Sequence, residues 1–190
     1  MTDSVLSAVR VDRASCPSPH SFANKLGRLL WQTAWILLFR PVPWFWHAPR
    51  RGLLRLFGAR VGRKVQIMPS VRIWAPWNLA LGDHATVSHG VDLYNAARIE
   101  IGPHATVSRR AFLCTATHDP DHPNMPLVTA PVRIGAGAWV AAEAYVHPGV
   151  TIGADALAGV RAVVLHDVPS GQIVGGNPAK FLRMREVGTR

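Results

Sequence analysis

Cysteine is nearly missing from this sequence: Cys16 and Cys114 are the only two in 190 residues. They lie far apart and in no CxxC or other metal spacing, which excludes a disulfide framework. A reducing compartment is the simpler expectation. Acidic residues are also scarce, 11 against 21 Lys and Arg, which leaves a formal charge of +10. Such a surplus suggests polyanionic partners (nucleic acid, acidic lipid headgroups or a phosphorylated cofactor) without choosing among them. Long apolar runs are absent too. The first twenty residues carry charges every few positions, so they do not read as a signal peptide and are expected to form a loose tail. "LLWQTAWILLF", between Arg28 and Arg40, is too short to span a bilayer as a helix.

What is present is apolar and heavily punctuated. The chain is 48% hydrophobic with 16 Gly and 15 Pro, enough for one core and more breakers than a helical protein tolerates. Residues 21–58 read as a helical segment interrupted by Pro41, Pro43 and Pro49. Its "RPVPWFWHAPRRGLLRLFG" alternates aromatic and basic side chains, which suits either the headgroup zone of a membrane or the cover of a neighbouring domain.

From about Val61 the text becomes periodic. "LGDHATVSHG" at 81–90 returns as "IGPHATVSRR" at 101–110, with six of ten residues identical. Later, Ile134, Val140, Val146, Ile152, Ala158 and Val164 follow at intervals of six, and Gly135, Gly153 and Gly159 come directly after members of that series. A coil with a corner every six residues has this period, with one small aliphatic side chain pointing inward from each short strand. Glycine after the inward residue is expected to supply the dihedral angles of the corner.

Residues 59–185 resemble the hexapeptide-repeat acyltransferases. "FLCTATHD", "IGAGAWVAAEAYVHPGVTIGADALAGVRAVV" and "VGGNPAK" look most like the colanic acid biosynthesis acetyltransferases. The resemblance implies an all-β fold, a left-handed parallel β-helix over residues 59–170 preceded by the helical segment, with a tail or helix over 171–190. It also implies a homotrimer with sites between subunits and acetyl-CoA as the co-substrate.

Between His118 and Pro131 the repeat gives way to a proline-rich stretch, expected to leave the coil as a loop. The resemblance makes His118 the general base that deprotonates an acceptor hydroxyl. Imidazole titrates near neutrality, which suits that task. It places Asn95 as a residue orienting the base, Ala142 and Val160 along the pantetheine groove, and Lys180 and Arg183 against the nucleotide phosphates. Leu165 and His166 stand where relatives often have Thr-Lys, a departure that weakens the phosphate contact there.

Rival readings exist. Cys114 four residues before His118 could form an acyl-enzyme, though on a strand the two lie a dozen or so ångströms apart. His84 and His89 have the spacing of a γ-type carbonic anhydrase, but residues 61–75 offer no third histidine, so no metal is expected. The expected activity is O-acetylation of a sugar hydroxyl in exopolysaccharide synthesis. The alternatives are acetylation of a small soluble sugar or xenobiotic, and a membrane-associated scaffold. The expected location is cytoplasmic, peripheral at the inner face of the membrane through residues 21–58, with no nucleic-acid partner.

Overall fold

An aliphatic residue at every sixth position can be buried along one continuous core only if the chain bends between successive ones. The computed structural model describes residues 21–186 and does this. Residues 1–20, including Cys16 and the expected tail, lie outside it, as do residues 187–190. Two- and three-residue strands line three faces. The first sheet holds Arg60–Val61, Leu79–Leu81, Ile99–Ile101, Val132–Ile134 and Thr151–Ile152, all parallel. The second starts at Gln66–Ile67 and the third at Arg72–Ile73, and each repeats in step. The six expected inward residues from Ile134 to Val164 are all buried. Register stacks like on like, as in Val87, Val107, Val140 and Ala158 down the second face. Each such aliphatic burial contributes roughly 1.5–3 kcal/mol.

The coils are not uniform in length. Arg60 pairs with Ala80 and Ala80 with Glu100, a repeat of 20, whereas Arg133 pairs with Thr151, a repeat of 18. The additional residues of the early coils lie at the corner after the third sheet, where Pro76–Asn78 makes a short 3-10 turn.

The glycines behave differently from expectation. Gly135 and Gly153 do not carry the positive φ angles of their corners; Gly137 and Asp155, two residues further on, do. Stacking explains Gly135 instead: a Cβ there would sit 2.5 Å from the Ala154 nitrogen of the next coil. Closeness between coils, rather than dihedral freedom, demands the glycine.

An open coil leaves strand edges unpaired at its ends. At the first end the helical segment covers them. It comprises α1 (Phe22–Ala34), a π-helical turn (Trp35–Phe39) and α2 (His47–Leu56). First-coil carbonyls with no coil before them accept hydrogen bonds from its side chains. Trp31 Nε1 donates to Ile73 O at 2.7 Å, Trp35 Nε1 to Val71 O at 2.9 Å, and Arg51 Nη1 to Val65 O at 3.0 Å. Arg50, fully buried, donates from Nε to Ile67 O and from its terminal nitrogens to the carbonyls of Val42, Pro43 and Trp44. The cover-of-the-domain reading of residues 21–58 is thereby met. At the other end, Gln172–Gly175 extends the second sheet, and Lys180–Met184 folds back on it antiparallel. The C-terminal segment is therefore a strand pair.

Candidate active site

The break in the repeat is a ribbon rather than a loop. Ala116–His118 pairs antiparallel with Leu127–Thr129, His118 opposite Leu127. Its root is fixed to the coil. Thr115 is buried; its hydroxyl donates to Tyr94 O at 2.7 Å and accepts from Ala97 N at 2.9 Å, while its carbonyl accepts from Ala130 N. Polar residues shape the tip: Asp119 Oδ1 accepts from Asp121 N, and His122 Nδ1 accepts from Asn124 N. His122 thus stabilises the turn.

His118 is exposed on this ribbon, and its Nδ1 lies 2.6 Å from the Met125 carbonyl oxygen. A carbonyl only accepts, so Nδ1 carries the hydrogen and the lone pair of the neutral ring resides on Nε2. The backbone therefore fixes the tautomer and the ring's orientation together. Such an arrangement can abstract a proton from a hydroxyl brought to Nε2.

Asn95 lies within the coil. It is fully buried; its Oδ1 accepts from Trp74 N and Ala75 N at 3.0 Å each, and its Nδ2 donates to Ala75 O. These three bonds tie Asn95 to the widened corner of the preceding coil. Cys114 is also structural: its buried thiol donates to Ala116 O at 3.0 Å. Beside it, the Tyr145 phenol is pushed up to about 12, first by burial and then by Cys114.

The remaining residues fall into separate groups. Ala142 and Val160 occupy matching places in successive coils, at the corner between second and third sheets, where Arg161 N donates to Ala142 O. Val160 is exposed. Leu165 and His166 are exposed at the next corner and line a cavity of about 130 Å³ with Phe181. Lys180 and Arg183 project from the C-terminal strand, both exposed. Ala142, Val160, Leu165 and His166 lie at the corners beside the last third-sheet strands, while Lys180 and Arg183 lie on the edge strand of the second sheet. Trp139, on the second face, is partly exposed and donates from Nε1 to Ser108 Oγ at 2.8 Å. His84 and His104 stack at 4.9 Å on neighbouring coils, and among the described residues no three His, Cys, Asp or Glu converge as metal ligands.

Sequence reasoning missed a furrow. Trp31, Trp35, Trp74 and Tyr94 wall a cavity of about 290 Å³ between the helical segment and the third sheet, with Arg72 and Asp92 at its floor. Burial raises the Asp92 carboxyl above the usual range, and Arg72 opposes that shift. A second hollow, with Arg40, Ser70 and Arg110, shares Trp35 and Arg72 with the first. The signal was available: Arg72, Trp74, Asp92 and Tyr94 alternate outward on two strands in matching register.

Known proteins place this geometry in context. No protein-family model matches the chain. It is 38% identical over 171 residues to WcaF of Escherichia coli K12, named for an acetyltransferase of colanic acid biosynthesis; the match covers 90% of this chain and 94% of that one. The crystal structure of a hexapeptide-repeat acetyltransferase from Vibrio cholerae superposes with a TM-score of 0.81 at 25% identity, over 88% of this chain and 95% of that one. Its acetyl-coenzyme A complex superposes at 0.79 and 24% identity, over 90% and 93%, a likeness of fold.

Proposed function

The chain belongs to the hexapeptide-repeat acetyltransferases, left-handed β-helices, and from that premise we propose that it moves acetyl from acetyl-CoA to a sugar hydroxyl in exopolysaccharide synthesis. The observation that carries the chemistry is the contact of His118 Nδ1 with the Met125 carbonyl, which engages that nitrogen and leaves Nε2 to meet an acceptor, on a ribbon rooted in the coil. In this reading Nε2 takes the proton of the acceptor hydroxyl as its oxygen attacks the thioester carbonyl. A backbone N–H steadies the tetrahedral oxyanion. Collapse expels the CoA thiolate, which recovers the proton from the imidazolium.

The pantetheine arm runs past Ala142 and Val160, and the nucleotide end meets Lys180 and Arg183, whose charge suits phosphate. His166 adds a ring N–H donor toward the same end. The protein works as a homotrimer, each site completed by a neighbour. Residues 21–58 hold it at the inner membrane face, where a membrane-borne acceptor is presented. Exposed Ile36, Leu37, Leu38, Trp44, Phe45 and Trp46 support that placement, and no helix of the described residues is long and apolar enough to cross a bilayer.

Acetyl transfer from acetyl-CoA to a panel of glycosyl acceptors, wild type against His118→Ala, tests the reading. The expected loss is about 10²–10⁴-fold in kcat with little change in acetyl-CoA affinity. Full transfer by the variant would remove His118 from the mechanism.

A further inference from the structure

Charge is divided unequally along the molecule. Residues 21–82 hold ten Lys and Arg and no Asp or Glu, whereas residues 83–186 hold eight against nine. The surplus therefore belongs to the helical segment and the first coil. Much of it faces outward: Lys25 and Arg40 on the segment and Arg60 and Lys64 on the first coil are exposed. Among the described residues none of these four takes part in an ion pair. The later cations Arg98, Arg110, Arg133 and Arg161 instead lie against Glu100 or Glu143. The segment also lies across the whole open end of the coil. Arg55 donates to Val61 O, Arg50 to Ile67 O and Trp31 to Ile73 O, one carbonyl on each face. With its inner side so engaged, Leu29, Leu30, Leu37, Trp44 and Phe45 remain on the side away from the coil, each more than half exposed. Unbalanced cations and large apolar side chains thus share one end. Two copies meeting there would bring two cationic surfaces together, so charge opposes self-association. A polyanion alone would leave the apolar side chains in water. An anionic bilayer satisfies both, its headgroups taking the cations and its interface the indole and leucine side chains.

We propose that the capped end of the coil is a docking face for anionic phospholipid, built from the segment together with Arg60 and Lys64 of the first coil, and that the coil axis stands away from the bilayer. Headgroup charge selects the membrane, and Leu37, Trp44 and Phe45 enter its interface. The His118 ribbon leaves the third coil. Two coil spacings place its root about 10 Å beyond the first coil, clear of the acyl chains. This inference rests on the membrane placement of residues 21–58 in the reading above; it names the lipid class and the coil residues that share in binding.

The test is co-sedimentation of the full chain with vesicles of phosphatidylcholine alone and with about one quarter phosphatidylglycerol. Wild type is expected to bind the anionic vesicles about tenfold or more tighter, a preference that shrinks as salt is raised. Arg60→Gln/Lys64→Gln, outside the segment, lowers that affinity about three- to tenfold. Arg109→Gln/Arg133→Gln removes the same charge from later coils and leaves it within about twofold. Melting curves verify that each variant is folded, and the wild-type preference decides the lipid class without any variant. Equal binding of the two vesicle types would overturn the proposal and keep the membrane placement; no binding of either would remove both. Equal losses in the two double variants would overturn it too, because net charge and not this end would then govern binding. Tighter binding of a single-stranded oligonucleotide than of the anionic vesicles, lost with Arg60 and Lys64, would assign the end to nucleic acid. Self-association abolished by Leu37→Ser would assign it to a second copy. The lipid preference without any acetyl transfer would refute the catalytic reading and leave the docking face standing, and transfer without the preference would do the opposite.

Discussion

The helical segment and the coil hold similar side chains and treat them oppositely. In the coil, Leu93, Leu113, Val146 and Val164 stack inward and are sealed. In the segment, Leu29, Leu37, Trp44 and Phe45 are more than half exposed, while a charged residue, Arg50, is fully buried. The reason is local. A coil interior is apolar because every backbone group already pairs with the neighbouring coil. The first coil lacks such a neighbour, so donors must be brought to its carbonyls, and Trp31, Trp35 and Arg50 bring them. Once the inner face of the segment serves that polar purpose, its aliphatic residues are left outside. Hydrophobicity builds a core in one region and stays exposed in the other.

The most severe way to break this contrast is to prevent the coils from approaching. Gly135→Ala, whose Cβ meets main chain of the next coil, is expected to cost about 3 kcal/mol or more, read by denaturant unfolding. Next comes Arg50→Met, similar in bulk and unable to donate. It removes the Arg50 donor from the carbonyls of Val42 and Trp44, leaving Pro43 O to Trp46 N and Ile67 O to His47, and a loss of about 2–4 kcal/mol is expected. An unchanged midpoint would mean that the segment does not seal the coil. Leu37, Trp44 and Phe45 changed together to Ser should leave stability within about 1 kcal/mol and remove co-sedimentation with anionic vesicles. A loss of stability as large as that of Arg50→Met would place these side chains in a core.

The smallest effect concerns Asp92. Its folded-state pKa lies above its unfolded value because burial disfavours the charge, so ionisation lowers stability as pH rises through that folded pKa. Asp92→Asn should therefore melt slightly higher than wild type at pH 7, with the gain vanishing in acid below the unfolded pKa, where both side chains are neutral. A melting series from acid to neutral pH checks the sign.

The periodic part of the molecule was legible because it is local. Six-residue spacing names Ile134 and Val140 as inward without knowledge of anything distant, and the lapse in rhythm marks where the excursion leaves the coil. The reason for the glycines was misjudged because Gly135 answers to Ala154, a full coil away, and not to its own dihedral angles. The structural engagement of Asn95 was hidden similarly: its three hydrogen bonds reach back 20 and 21 residues into a corner whose extra length the repeat pattern conceals. The capping by Trp31 and Arg50 joins helix side chains to carbonyls 42 and 17 residues away, and composition cannot express such pairings. The ribbon was read as a loop because its prolines and turn formers outweigh two strands of three residues each.

The ribbon has an evolutionary implication. Its side chains alternate between two faces, and the histidine's face is counted from the root at Thr115. Insertions at the hairpin's apex would leave that count untouched, whereas one residue gained or lost in the stem would turn the imidazole to the opposite side. Descendants of this enzyme are thus at liberty to remodel the apex, generation after generation, while the imidazole stays where it was.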